Sequence, residues 1–189
     1  MRTWLKIADG IDRMNRRVGA SVKWLILAMT VISALNAISR KAFSLSSNAF
    51  LEAQWYLFAA VFLLAAGYTL QRNAHVRIDL VSSRLSVRTR LWVELAATCL
   101  FLFPFAVLVT VSGWSFFADS VANREVSLNS GGLIVWPVKL LIPVGFGLLI
   151  LQGAAQAIKA AAALRGELPA EVVFATPGEA ATPADASRR

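Results

Sequence analysis

The chain has 189 residues, of which 57% are hydrophobic and only 16% charged, and its mean hydropathy is +0.61. A water-soluble domain carries nearer a quarter of its residues as charges, so that class is excluded. The net charge of +8 would suggest nucleic acid as a partner of a soluble protein, but here the basic residues flank apolar runs, which makes lipid the expected partner and membrane topology the better explanation.

Residues 1–19 carry an apolar stripe. Trp4, Ile7, Ile11, Met14 and Val18 recur at intervals of three and four, the period of one helix face. Lys6, Arg13, Arg16 and Arg17 fall mostly off that stripe. A basic amphipathic helix of this kind is expected to lie in the membrane interface, anchored by Trp4, Arg13, Arg16 and Arg17. A solvated leader that only sets topology is the plainer alternative.

Four apolar segments follow, at about 22–38, 53–70, 91–111 and 133–158. A helix needs about 20 residues to cross the hydrocarbon core, and each segment must satisfy its own backbone in lipid, so helices are predicted. The expected fold class is all-α integral membrane, with a four-helix transmembrane domain over residues 20–165 after the interfacial helix. The first segment is short for a span and the last is long. A signal-peptide cut after Ala37 would put Leu35 where a small residue is needed, so the first span is read as a retained anchor.

The second span opens with Glu52, Gln54 and Trp55 and ends in Arg72, His75, Arg77 and Asp79. That polar foot is either a stop signal or a salt-bridge knot that fixes the loop or meets another subunit. His75 is the single histidine and Cys99 the single cysteine, which leaves no haem pair, zinc set or disulfide. Ile78, Val81 and Leu85 share a face beside Arg84 and Arg88, the pattern of a short surface-lying turn. In the third span Glu94 lies one turn inside the end, and Pro104 is expected to kink the helix.

The next loop holds Glu125, with Asn129, Ser130, Gly131 and Gly132 forming a turn. Trp136 then falls at interfacial depth. Lys139, six positions past Leu133 and so about 9 Å along a helix, can snorkel outward or pair with Glu52 or Glu125. Gly153, Ala157 and Ala161 repeat every four residues, with Gly145 and Gly147 upstream, a spacing that permits close helix approach. Pro137 and Pro143 shape the start of this last span. Residues 166–189 hold too little apolar surface to fold and are expected to be a disordered tail.

Lysine and arginine are concentrated before the first span, between the second and third, and after the fourth. The positive-inside rule then places both termini and the middle loop in the cytoplasm. Glu52, Glu94 and Lys139 are the ionisable residues within spans, and such residues are functional candidates by default. Anchoring, ion pairing and ion translocation all remain open for them, although no file of acids crosses the membrane. Nucleophile triads, Walker loops and dinucleotide fingerprints are missing from the sequence, so no enzyme activity, cofactor or metal is expected.

The stretch EAQWYLFAAVFLLAAGYTLQRNAHVRIDL, with EVSLNSGGL and WPVKLLIPVGFGLLILQG further on, resembles the small membrane subunit, DctQ type, of tripartite ATP-independent periplasmic (TRAP) transporters. The similarity is closest to the branch of mannitol, chloroaromatic and 2-oxo-acid systems. The resemblance implies a bacterial inner-membrane protein with two partners. One is a large DctM-type permease holding the substrate and sodium sites and moving as an elevator. The other is a periplasmic binding protein that delivers a carboxylate-bearing solute. It further implies structural and interface roles for Glu52, Gln54, Trp55, Arg72, His75, Arg77, Asp79 and Lys139. Docking roles fall to Glu125, Asn129, Gly131, Gly132 and Trp136, and none of these residues would bind solute. The alternative from the residues alone is a self-sufficient four-helix exporter with Glu52 or Glu94 as its proton-coupled carboxylate.

Overall fold

A computed structural model describes residues 2–44, 47–72 and 85–174. Four long helices dominate: α1 (Arg2–Phe43), α2 (Asn48–Gln71), α3 (Val87–Ala122) and α4 (Trp136–Leu164), followed by the short α5 (Ala170–Phe174). All four are long and apolar enough to cross a membrane. They alternate in direction, so the start of α1 and the ends of α2 and α4 share one end of the bundle, called here the near end. The end of α1, the start of α2 and the loop at 123–135 lie at the far end.

Local chemistry sets the boundaries. Ser86 caps α3 by accepting the Thr89 N–H at 3.2 Å. Helix α4 stops where Gly166 takes a φ of 75°, with Gly166 N–H bonded to Ala163 O and Glu167 N–H to Ala162 O, both at 3.0 Å; the pair is a Schellman closure. Pro104, expected to kink the third span, follows a π-helical stretch over Thr98–Leu102. That widened turn accommodates the hydrogen bond a proline cannot donate.

Helix α4 is the hub. It packs against α1, α2 and α3, whereas α3 finds its main support on α4 alone. In the most apolar stretch of each helix, 28% of α4 is buried, against 6% of α1 and 11% of α2 and α3. Small residues allow this close approach. A Cβ added at Gly145 would stand 2.7 Å from Leu63 O, and one at Gly67 would strike the Asn15 side chain. Gly147, on the same helix as Gly145, has open space around it. Large apolar side chains such as Phe62, Leu108, Val111 and Trp114 point outward instead, as a lipid-facing perimeter requires.

Two expectations change. The amphipathic segment and the first span form a single unbroken helix, 42 residues long, so no hinge at residue 19 frees the first part to lie apart from the bundle. Its packed face is Ala8, Asp12, Asn15 and Val22, while Trp4 is 60% exposed. The other change concerns residues 166–174, read as the start of the tail. They make a turn and then α5, whose Val173 is buried against Leu91 and Ala160.

Candidate functional site

At the far end, the loop of residues 123–135 folds back on itself through an antiparallel bridge between Val126 and Ile134. Ser127 N–H bonds Leu133 O at 3.0 Å, and Gly132 N–H bonds Asn129 O at 2.9 Å. Gly131 holds a φ of 71° in that turn, a value that favours glycine. The turn thus falls on the residues the sequence assigned to it.

Glu52 reaches this loop from the first turns of α2. Its carboxylate accepts from the Ser127 hydroxyl, from Asn129 Nδ2 at 2.7 Å and from Leu133 N–H at 2.7 Å. The residue is only 3% exposed. Asn48, at the start of the same helix, donates to Ser130 O at 3.1 Å. One buried anion therefore organises the connection between α3 and α4 by accepting from three donors of the loop.

Lys139 pairs with Glu125, one of the two partners the sequence offered; Glu52 is engaged elsewhere. The lysine lies shallower than expected, because α4 begins only at Trp136 and residues 133–135 belong to the loop. Its Nζ also sits 3.7 Å from the centroid of the Phe116 ring, so α3, the loop and α4 meet on one cation. The ammonium holds the Glu125 carboxyl below its ordinary range. Trp136 joins an aromatic chain through Phe117 to Trp114. Gln54 is half-buried and Trp55 is 64% exposed on the perimeter.

At the near end lies a second polar cluster that the sequence reading missed. Asp12 of α1 pairs with Lys159 of α4 and accepts from Gln152 Nε2 at 2.8 Å. Asn15 Nδ2 donates to Gln152 Oε1 at 2.9 Å, and Gln71 Nε2 donates to Asp12 O at 3.0 Å. Gln156 Nε2 adds a bond to Leu70 O at 2.8 Å. All of these except Lys159 are buried, with Asn15 at 0% exposure, and they tie three helices together. A signal for them was present: Ala8, Asp12, Asn15, Gly19 and Val22 recur at helical spacing on one face, as do Gln152, Gln156 and Lys159.

The remaining candidates divide. Arg72 stacks on Tyr68 and donates to its hydroxyl at 2.8 Å. His75, Arg77 and Asp79 lie outside the described residues, as do Ile78, Val81 and Arg84. Arg13, Arg16 and Arg17 are exposed on α1. Glu94 lines an open cleft between α2 and α3. Among the described residues, no group of three or more His, Cys, Asp or Glu is placed to hold a metal ion.

The chain matches the family model described as "Tripartite ATP-independent periplasmic transporters, DctQ component" over residues 12–163. The match begins at Asp12 and extends past Lys159, and so contains both polar clusters. A search of curated proteins and a search of solved structures each return no match.

Proposed function

The chain belongs to the DctQ component family of tripartite ATP-independent periplasmic transporters, and we propose that it acts there as a non-catalytic small subunit. In this reading it braces a large, sodium-coupled DctM-type permease and helps a periplasmic binding protein dock during uptake of carboxylate-bearing solutes. It resides in the bacterial inner membrane with both termini cytoplasmic, an orientation supported by the distribution of lysine and arginine.

The observation that carries the scaffold role is the engagement of the polar residues with one another. Glu52, the best-placed carboxylate for a transport site, is closed by three donors. A proton-coupled carboxylate must exchange its proton with the solvent, and this one serves as a fixed anchor for a loop. That loop, with Asn129, Gly131 and Gly132 at its tip, is the natural docking surface for a periplasmic partner. At the far end Lys139 ties α4 to the loop through Glu125, and at the near end Lys159 ties α4 to α1 through Asp12.

Reconstitution tests the reading. Liposomes holding the large permease and this chain, given binding protein and a sodium gradient, should accumulate solute. Omitting this chain should abolish uptake. Solute movement by this chain alone, or a proton coupling removed by Glu52→Gln, would overturn the proposal.

A further inference from the structure

An open apolar cleft of about 640 Å³ runs between α2 and α3. It follows from the hub arrangement, in which α3 leans on α4 and leaves its α2-facing side uncovered. Ala66 and Leu70 form one wall, Phe101 and Phe105 the other, and Leu149 of α4 closes the back.

Its length and position define an occupant. Along α3 the cleft extends from Glu94 to Phe105, eleven positions or about 16 Å of helix. The hydrocarbon core is about 30 Å thick, so the cleft is one leaflet deep. It starts level with the last turn of α2 and ends near mid-membrane. A crossing helix from a partner would need a groove through both leaflets, whereas an acyl chain hanging from one surface needs half of one.

Charge is placed at its mouth. Arg90 lies one turn nearer the surface than Glu94 on the same face of α3. Its guanidinium carbon is 4.1 Å from the centroid of the Phe174 ring. Arg90 also borders a second hollow, of about 410 Å³, with Val87, Pro169 and Phe174. Helix α5 therefore holds this arginine at headgroup level and builds a shelf beside it. Among the described residues Arg90 is in no ion pair, so its charge can meet an incoming anion. Basic pockets between membrane helices at this depth suit phospholipid headgroups.

We propose that the cleft binds one phospholipid from the leaflet nearer the N-terminus, with an acyl chain against Phe101 and Phe105 and its phosphate at Arg90. The site depends only on the chain spanning a bilayer, and it stands whether or not the scaffold reading does.

The test uses the full chain in vesicles doped with a phospholipid carrying a photoactivatable group midway along one acyl chain. After illumination, adducts on Phe101, Phe105 and Leu149 should exceed those on Leu108 and Val111, perimeter residues of α3, by about tenfold. Arg90→Gln should reduce the enrichment by about as much for a phosphate-bearing lipid and leave a headgroup-free diacylglycerol probe unchanged. Even labelling of cleft and perimeter would overturn the proposal. So would a photoreactive residue at position 97 that, in the complex with the large subunit, links to polypeptide in place of lipid. Because the wild-type chain supplies the first measurement, the result does not depend on any variant folding.

Discussion

Glu52 carries an anion to the edge of the hydrocarbon, where an isolated charge would cost several kcal/mol. Here its charge is matched by the Ser127 hydroxyl, the Asn129 amide and the Leu133 N–H. Glu52→Gln puts an NH2 group among donors and leaves at least one of them buried without an acceptor, at a cost of about 1–3 kcal/mol. The expected outcome is a lower midpoint of unfolding in mild detergent and faster amide exchange at 127–133, with the helix ends at the near end unchanged. Glu125, in the loop, adds a pH dependence. Its carboxyl, bonded to Lys139, is held below the ordinary value of 4.5. Its contribution is therefore complete above that ordinary value and lost as pH falls through the lower folded value. Melting measured from pH 7 down to pH 3 should show this loss, and Lys139→Met should flatten the acid limb of the curve.

Among the elements, α1 and α4 show how a polar face joins membrane helices. Removing one partner of a buried ion pair is costly, about 3–5 kcal/mol, while replacing both with apolar residues is often tolerated. Asp12→Ala should accordingly weaken the bundle more than Asp12→Leu combined with Lys159→Met, a comparison that denaturation in lipid micelles can read. Gly145→Ala should separate α2 from α4, since its new methyl meets Leu63 O at 2.7 Å, while Gly147→Ala enters open space and should be neutral. The four spans were legible in the sequence because apolar length alone specifies a membrane helix. Which face each helix packs was not, because in a bilayer the large apolar residues look outward and packing falls to small and polar ones. The Trp4 stripe drew attention for that reason, and the Asp12 face beside it did not. Glu52 and Lys139 were recognisable as ionisable residues in spans, but their partners depended on the fold of a loop that periodicity cannot describe.

For the molecule as a whole, the two polar clusters act as rulers. Lys139 and Lys159 are twenty positions apart on α4, and Glu52 and Gln71 nineteen on α2, each about 30 Å of helix. That distance equals the thickness of the hydrocarbon core, so the clusters fall at its two surfaces and fix the depth of the bundle. Orientation follows from charge. The near end gathers Arg13, Arg16 and Arg17 of α1 with Arg72 and Arg165 at the ends of α2 and α4, and should face the cytoplasm, while the Glu52 loop should face the opposite compartment. Two single cysteines in a Cys99→Ser background test this directly: Leu128→Cys, on a fully exposed loop residue, and Glu167→Cys, just past the end of α4. In intact spheroplasts a membrane-impermeant maleimide should label position 128 and spare position 167, which should react only after permeabilisation. The reverse pattern would invert the topology and remove the Glu52 loop as a docking surface for a periplasmic partner. Labelling of both from outside would mean an even number of crossings between them, whereas one spanning helix, α4, separates position 128 from position 167.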